Sequence, residues 1–484
     1  MLFHSKAFAI FFPCVVLAFF LTPQRRRWVV LLAASYGFYM AWNAGYAILL
    51  LLSTVIDYAV AFRVHAAETP RKRLAWAGVS LSTNLGMLAY FKYTNFFLRA
   101  SADLAGLFGL DVVPAQYDII LPVGISFYTF QTLSYTIDVY RGQLEPERNL
   151  ARVALYVSFF PQLVAGPIER STQLLPQFSQ RQRFDFDRAV SGLALMLLGF
   201  FKKLMIADRA ARFVDVVYQD PNAQSGLSIL LVSYLFAFQI YCDFSAYSDI
   251  AIGAARVLGF DLMENFRRPY FARSIPDMWR RWHVSLTTWL KDNLYMALAP
   301  KKKSAWATRR NMAIVFVSVG IWHGAEWTFV AFGFYHAALS VLSHIVMPYI
   351  AKVKENLQIT GFKDTLWGLA AIALTFHLWC LSAIFFRGRS ITEAFTMLQR
   401  LFTWGGPADA WSKVLVKVPE VELWIVVASI AALMMLELIQ GDRDSREAAQ
   451  LFPRLLRPAL AAGSLVTILM FGEIGGAPFY YFQF

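Results

Sequence analysis

One histidine stands inside a stretch that is otherwise apolar enough to form a membrane-spanning helix. His323 lies in residues 320–325, GIWHGA, within the apolar stretch 311–335. An ionisable side chain buried in a membrane is costly and is functional by default. Because imidazole titrates near neutrality, it can take a proton from a hydroxyl and pass it to a leaving group. The pattern predicts a general base, with a satisfied packing histidine as the alternative. Gly320 and Gly324 would let another group approach the helix backbone.

A second histidine follows a run of tryptophans and arginines. His283 ends residues 279–283, WRRWH, and Asp292 follows nine residues later. In a continuous helix the two side chains would point to opposite faces, so they share a site only if the segment breaks. A helix with this charge cannot face lipid and must be buried in protein or line a wet cavity. The alternative is a basic and aromatic cluster at the membrane interface.

Two carboxylates lie within a third apolar stretch. Asp243 and Asp249 belong to residues 241–249, YCDFSAYSD, inside the candidate span 226–256. Such dense polar groups would line a channel or cap a broken helix. The serines of this segment lack the surroundings of a nucleophile elbow, and phosphate-binding loops and HExxH are absent from the sequence.

The other histidines and the cysteines give weaker signals. Three further histidines in apolar stretches are interpreted as core residues: His336, His344 and His377. The three cysteines lie far apart without a CxxC pair: Cys14, Cys242 and Cys380. This spacing predicts neither a zinc site nor a disulfide framework, and we expect no metal.

The composition indicates what kind of protein must position these residues. Of 484 residues, 58% are hydrophobic and only 16% are charged, against about 45–50% and about 25% in soluble domains. Too few polar residues remain to cover a soluble protein of this size. Disorder, coiled coil, collagen and a disulfide-rich secreted fold are excluded. The sequence predicts an all-α protein that crosses the membrane many times.

Apolar stretches follow one another along nearly the whole chain. The candidate spans are residues 7–22, 28–42, 45–62, 74–98, 119–140, 189–206, 226–256, 311–335, 335–350, 366–386, 421–439 and 458–474. We expect about 11–12 transmembrane helices in a single domain, residues 1–484. Two segments are too irregular for a lipid-facing helix: 154–168 contains prolines and glycine, and 276–299 is charged. These are predicted to be re-entrant or broken.

The basic residues predict the orientation in the membrane. The net charge of +13 comes from Lys and Arg that lie between apolar stretches, which is typical of cytoplasmic loops near anionic lipid rather than of nucleic-acid binding. Residues 25–27, 63–73, 301–310 and 443–457 should be cytoplasmic, and the acidic loop 103–118 should be outside. The first apolar segment is expected to be an uncleaved span, since a small-residue cleavage site is lacking.

Several motifs are spread along the chain: residues 121–130 (LPVGISFYTF), 137–142 (IDVYRG), 165–170 (AGPIER), 241–249, 264–270 (ENFRRPY), 279–292 (WRRWHVSLTTWLKD), 322–324 (WHG) and 480–484 (YYFQF). Together these motifs resemble the membrane-bound O-acyltransferase (MBOAT) family, and within it the bacterial alginate O-acetyltransferases. Residues 298–300 (LAP) and Ala337 depart from the family pattern, where glycines are usual. The first departure lies beside the expected site, so the identity of the acceptor or the partner stays open.

The resemblance implies a helical domain around a funnel or channel, with His323 as the family histidine at its depth and His283 as the second one. We expect the following residues to line the site: Trp282, Trp322, Asp292, Asp243 and Asp249. By location, Arg280 and residues 301–303 are candidates for binding the donor's phosphates.

The function implied by the resemblance is acetyl transfer across the bacterial inner membrane. The donor would be cytoplasmic acetyl-CoA, as a co-substrate, and the acceptor an extracytoplasmic polysaccharide such as alginate. An exported acyltransferase partner would complete delivery. Peptidoglycan, another exopolysaccharide and D-alanyl transfer are alternatives. It stays open whether His323 is itself acetylated or acts only as a base.

A transporter is the rival from another class, with the buried His and Asp residues as a proton relay. Transporters usually show internal repeats with paired broken helices, and the sequence shows none. A non-catalytic scaffold for polysaccharide export is a third interpretation.

Overall fold

A computed structural model describes residues 1–299, 304–403, 412, 414–444, 446–447, 453, 455–473 and 479–480. Within these residues the chain is helical, with turns and extended connections. It divides into two compact units that are both discontinuous in sequence. Unit 1 comprises Met1–Gly199 and Tyr247–Met263, and unit 2 comprises Phe200–Ala246 and Glu264–Tyr480. The single-domain assignment stays a prediction.

Unit 1 consists mainly of the N-terminal helices. They are α1 (Lys6–Leu21), α2 (Arg27–Met40), α3 (Ala47–Ala66), α4 (Pro70–Leu88), α5 (Thr94–Leu107), α6 (Ile125–Tyr140), α7 (Leu150–Ser158), α8 (Ser171–Leu174) and most of α9 (Phe186–Phe201). A π-helical turn, Ala89–Tyr93, joins α4 to α5. Local signals set the ends: Ser5 caps α1, and Thr69 followed by a proline begins α4.

Unit 2 contains the later helices. They are α10 (Asp208–Gln219), α11 (Gly226–Val257), α12 (Ile275–Arg281), α13 (Val284–Leu290), α14 (Ala305–His323), α15 (Trp327–Asn356), α16 (Phe362–Arg387), α17 (Ile391–Arg400), α18 (Glu420–Gln440) and α19 (Arg457–Phe471). The last eleven residues of α11 belong to unit 1. Two π-helical turns, Lys202–Ala207 and Lys291–Tyr295, follow α9 and α13.

In the part of the chain that the structure describes, six helical segments are long and apolar enough to cross a membrane: Ala47–Ala66, Phe186–Gln219, Gly226–Val257, Trp327–Asn356, Phe362–Arg387 and Glu420–Gln440. Two shorter apolar helices are α1 and α19. Large apolar side chains point away from the protein, as Ile48 and Leu52 do on α3. Such a surface suits lipid rather than water. The predicted all-α, polytopic membrane fold is confirmed.

The segment predicted to be re-entrant is irregular and buried. Helix α7 ends at Ser158, and residues 159–168 continue without a helix while remaining shielded from solvent. Side chains satisfy part of its backbone: the Phe160 N–H donates to Ser35 Oγ at 3.1 Å, and the Glu169 N–H donates to Gln131 Oε1 at 3.1 Å. These side-chain bonds replace backbone hydrogen bonds that a regular helix would make. Irregular backbone at membrane depth needs such partners within the protein.

A buried carboxylate ties three helices of unit 1 together. Asp57 of α3 accepts hydrogen bonds from Ser80 Oγ, from Asn84 Nδ2 at 2.9 Å and from Thr136 Oγ1 at 3.3 Å. Asn84 Oδ1 in turn accepts from Ser53 Oγ at 2.7 Å. All five side chains are fully buried or nearly so. A satisfied network of this kind fixes which helix faces meet.

We expect Asp57→Ala to lower the free energy of unfolding in detergent by about 2 kcal/mol or more, because each buried group left without a partner costs about 1–3 kcal/mol. The matched control is Ser53→Ala, which leaves Thr132 as a donor to Asn84 and should cost about 1 kcal/mol or less. Thermal unfolding followed by circular dichroism measures both. Equal stability of Asp57→Ala and the wild type would contradict a structural role for the network.

Candidate active site

Two short helices carry the second predicted histidine. Ser274 caps α12, which ends at Arg281, and α13 begins at Val284. Between them His283 adopts a left-handed backbone with φ +46°, and its side chain is fully buried. A left-handed conformation is unusual for a residue other than glycine and persists only where the surroundings enforce it. The predicted break of the charged segment is therefore confirmed, and it falls at His283.

Asn265 holds this break in place. Its carbonyl oxygen accepts from the Val284 N–H at 2.9 Å, and its Oδ1 accepts from Ser285 Oγ at 2.9 Å. Two residues further, the Arg267 N–H donates to the Arg281 carbonyl oxygen at 2.8 Å. The extended segment after Glu264 thus pairs with both sides of the break. These bonds offset the strain at His283 and fix the direction of its imidazole.

Ion pairs anchor the same segment to the end of α18. Arg268 contacts Asp442, and Arg281 lies 3.7 Å from the same carboxylate. Arg281 Nε also lies 3.1 Å from Asp277 Oδ1 on α12. Hydrogen bonding and charge attraction from Arg268 lower the pKa of Asp442 below its usual range. Because Asp442 is largely exposed, these contacts position the segment more than they stabilise the fold.

The first predicted histidine ends the first helix of a helical hairpin. His323 is the last residue of α14 and is 3% exposed, and residues 324–326 lead directly into α15. The carboxyl end of a helix carries partial negative charge, which favours a positive side chain at this position. An imidazolium formed at His323 would therefore be stabilised by its own helix.

Glycines let α14 and α15 approach closely beside His323. A β-carbon at Gly320 would lie 2.7 Å from Gly333 Cα and closer still to the Phe329 carbonyl oxygen. A β-carbon at Gly324 would overlap the Phe329 ring. Small residues at helix contacts are typical of membrane proteins. As the sequence predicted, these two glycines admit a neighbouring group, which here is α15.

We expect Gly320→Ala to reduce acyl transfer by at least about tenfold, because the added methyl group forces α14 away from α15 and moves His323; overpacking of this kind typically costs about 1–3 kcal/mol. The matched control is Gly78→Ala in α4, where a β-carbon meets nothing within 4 Å. This control should be neutral or slightly stabilising, since alanine favours helix more than glycine does. Initial transfer rates at equal amounts of folded protein measure the difference, and a fully active Gly320→Ala protein would refute the prediction.

A single indole bridges the two histidines. The Trp322 ring centroid lies 5.6 Å from that of His283 and 4.9 Å from that of His323. Phe244 packs against His283 at 4.7 Å, and Phe386 packs against His323 at 5.1 Å. The two predicted catalytic histidines therefore lie in one aromatic cluster of unit 2.

Trp282 forms the wall of this cluster next to His283. It is buried and its ring lies 4.8 Å from Trp379 and 5.1 Å from Phe266. Phe266 in turn contacts Phe244, whose ring packs against His283, so Trp282 joins the apolar surroundings of this imidazole. Exclusion of water in such a site strengthens every electrostatic interaction of the reacting groups. The arrangement can support proton transfer and stabilisation of a developing negative charge.

Asp243 belongs to a buried charge cluster next to Phe244. Its Oδ1 lies 2.7 Å from Lys203 Nζ, and Lys203 also lies 2.9 Å from Asp208. The other oxygen, Oδ2, accepts from the Tyr480 backbone N–H at 2.6 Å. Pairing of this kind offsets the cost of burying the charges. Asp243 of α11 thus binds both the π-helical turn, through Lys203, and the backbone at Tyr480.

The other predicted site residues lie on different segments of the chain. Asp292 is half-buried in the π-helical turn after α13, and Asp249 is buried in the part of α11 that belongs to unit 1. Arg280 is exposed, and its guanidinium lies 3.5 Å from Asp277. Residues 300–303 and 481–484, which include the lysine run and most of the terminal motif, lie outside the described residues, as do parts of 443–457. Over the described chain, no group of three or more His, Cys, Asp or Glu could hold a metal ion.

Sequence reasoning missed two residues of this region and interpreted three histidines as core residues. The core interpretation is confirmed for His336 and is wrong for His344 and His377, which are exposed. His336, interpreted as a core residue, lies fully buried beside Phe332, whose ring contacts His323. Lys203 and Asn265 were not singled out. A lysine inside the apolar run 189–206 is itself a signal of a buried partner, whereas nothing local distinguishes Asn265.

The fold and this cluster define a class of protein: a multi-pass membrane protein with buried histidines at an interrupted helix. Residues 146–381 match the membrane-bound O-acyltransferase family. This range includes both predicted catalytic histidines. The chain belongs to this family, and it is a multi-pass acyltransferase of the bacterial inner membrane.

Curated relatives share most of its length. The "Probable alginate O-acetylase" of Pseudomonas aeruginosa is 36% identical over 409 residues, which cover 84% of this chain and 75% of the relative. The protein of the same name from Azotobacter vinelandii is 35% identical over 407 residues, 84% of this chain and 79% of the relative. A "Peptidoglycan O-acetyltransferase" of Helicobacter pylori is 33% identical over 434 residues, covering 82% and 79%. The family supports an enzyme over a transporter or a scaffold.

Proposed function

We propose that this enzyme takes an acetyl group from cytoplasmic acetyl-CoA and passes it through the membrane for O-acetylation of an extracytoplasmic polysaccharide, in the first place alginate. The observation that carries the proposal is the pair of buried histidines bridged by Trp322. The names of the relatives from Pseudomonas and Azotobacter support the acceptor. An exported acyltransferase partner is proposed to complete delivery to the polymer.

In the proposed reaction His323 is the general base. Its imidazole takes the proton of an attacking hydroxyl, and the hydroxyl oxygen forms a bond to the thioester carbonyl carbon. A tetrahedral oxyanion results, and an N–H of the His283 imidazole donates to it. The C–S bond then breaks, and the proton on His323 passes to the departing sulfur. The products are an acetyl ester and the free thiol of CoA, so His323 ends as it began.

The surroundings of His323 fit this role. Its position at the carboxyl end of α14 stabilises the imidazolium that exists between the two proton transfers. The aromatic cluster keeps water from competing with the acceptor hydroxyl. The same chemistry would serve if the first hydroxyl belonged to an intermediate carrier rather than to the polymer.

Peptidoglycan is the second candidate acceptor. The relative from Helicobacter pylori supports it, with a similar share of both chains aligned. The two candidate acceptors can be distinguished by which purified polymer becomes labelled.

The proposal is tested by incubating membranes that contain the enzyme and its exported partner with radiolabelled acetyl-CoA and either polymer. Label should appear in alginate in alkali-sensitive ester linkage. Label in peptidoglycan alone would select the second acceptor. Absence of label in protein and in both polymers, with the His323→Ala protein behaving like the wild type, would overturn the proposed function.

We predict that the donor side of the enzyme faces the cytoplasm, because the short basic loops determine orientation. Single cysteines are introduced at Asp111 and at Ser304, both exposed, in a protein whose three natural cysteines are replaced. On intact spheroplasts a membrane-impermeant thiol reagent should label Asp111→Cys and leave Ser304→Cys unlabelled. Permeabilised membranes serve as the control in which both are labelled. The reverse pattern on intact spheroplasts would place the donor side away from acetyl-CoA.

A further inference from the structure

His336 is a buried histidine that the proposed reaction does not use. It lies on α15, and its ring is enclosed by other rings, with centroid distances of 5.0 Å to Trp279, 4.5 Å to Phe332, 5.1 Å to Trp379 and 5.5 Å to Tyr335. His336 is 0% exposed and Trp279 is 5% exposed. The aromatic rings therefore shield the imidazole from bulk water.

The rings of Trp279, Phe332, Tyr335 and Trp379 form an aromatic box around His336, and some polar atoms of this box lack a hydrogen-bond partner among the described residues. Across the part of the chain that the structure describes, neither ring nitrogen of His336 nor the indole nitrogen of Trp279 has a hydrogen-bond partner. A buried polar group without a partner costs about 1–3 kcal/mol. A packing residue such as phenylalanine would avoid that cost, so these nitrogens indicate a partner that binds from outside the chain.

The chemistry of the three nitrogens limits that partner. A neutral imidazole offers one donor and one acceptor, and the indole offers one donor. The rings that enclose them are uncharged, so a charged group would be desolvated without compensation. An uncharged oxygen, which accepts from two donors and can donate if it is a hydroxyl, fits this set.

The box adjoins the proposed reaction centre. The Phe332 ring lies 5.8 Å from His323 and 4.5 Å from His336, so a single phenyl ring separates the two imidazoles. Trp379 contacts both Trp279 and Trp282, and Trp282 precedes His283. A substrate that reaches His323 therefore comes within one side chain of the box.

We propose that His336 and Trp279 form a subsite that binds an uncharged oxygen of a substrate, either a carbonyl of the acyl donor or a hydroxyl of the acceptor. This inference rests on the proposed function. The subsite would hold the substrate in line with His323, and it explains why α15 carries a histidine at this position.

The test replaces the nitrogens while keeping the ring shape. His336→Phe should fold at least as well as the wild type, because it removes unmatched buried polar atoms, and should transfer acetyl at least about tenfold more slowly, the value of one lost hydrogen bond. Trp279→Phe, which loses one donor, should show a smaller loss. His336→Gln keeps a donor and an acceptor and should recover part of the activity. The matched control is His344→Phe, an exposed histidine on the same helix, which should be unchanged.

Separate titrations of acetyl-CoA and of the polymer identify the oxygen. A raised KM for acetyl-CoA assigns the donor carbonyl, and a raised KM for the polymer assigns the acceptor hydroxyl. Unchanged kcat and KM in a folded His336→Phe protein would overturn the subsite. So would a loss of folded protein in His336→Phe that accounts for the whole loss of activity, since this would make His336 a packing residue. If His323→Ala is inactive while His336→Phe is unaffected, only the subsite fails and the proposed function stands.

Discussion

Replacement of His323 by alanine is expected to abolish acetyl transfer while the protein still folds in the membrane. His323 is the proposed base, and loss of a general base typically costs about 10²–10⁴-fold in rate. The side chain lies at the end of α14 and packs against the rings of Trp322 and Phe386. Truncation to alanine should therefore abolish the reaction. It should lower the free energy of unfolding by little more than the cost of one modest cavity.

The measurement is incorporation of radiolabelled acetyl groups into polymer at equal amounts of folded enzyme, checked by size-exclusion chromatography in detergent. His344→Ala is the matched control, since this histidine is exposed on α15. The control should retain full activity. Near-normal labelling by a well-folded His323→Ala protein would remove His323 from the mechanism.

Composition and hydropathy were sufficient to predict the membrane class. Alternation of apolar stretches with basic loops gives long helices whatever the details of packing, because lipid forces the backbone to satisfy its own hydrogen bonds. The same reasoning predicted that residues 154–168 and 276–299 depart from regular helix, since prolines and charges cannot face lipid there. Both departures are present in the structure.

Long-range pairing could not be predicted in this way. The position of the break depends on Asn265, whose bonds to Val284 and Ser285 join residues about twenty apart in sequence. Similarly, Asp243 meets Lys203 across two helical segments. A single sequence shows that such polar groups need partners but does not show which partners they find.

The aromatic cluster illustrates the same limit. Tryptophans in the sequence predicted an interfacial or buried segment, and the resemblance to the family singled out the two histidines. Trp322 contacts both imidazoles, one of them 39 residues away in sequence, and side-chain periodicity does not determine such a long-range contact. Nothing in the sequence indicated that His336 is more than a core residue. An apolar stretch predicts that a histidine is buried, but it does not show whether the ring nitrogens find hydrogen-bond partners.

Replacement of His283 by glycine is expected to impair acetyl transfer by about 10²-fold or more without destabilising the protein. Glycine adopts the left-handed backbone at φ +46° without strain, whereas other residues pay about 1–3 kcal/mol for such conformations. Relief of this strain offsets the packing lost when the imidazole is removed. The Asn265 bonds to Val284 and Ser285 involve neither the imidazole nor its ring nitrogens, so the break itself should persist.

A matched control separates the backbone from the imidazole. Gln358 has the same left-handed conformation, with φ +47°, in an exposed turn after α15. Gln358→Gly should gain or keep stability and remain fully active. His283→Asn, which tolerates a left-handed backbone and offers an amide N–H, should keep more activity than His283→Gly if the role of His283 is to donate to the oxyanion. Equal activity of His283→Gly and the wild type would make His283 a structural residue, and the oxyanion donor would then have to be sought among the backbone N–H groups of the site.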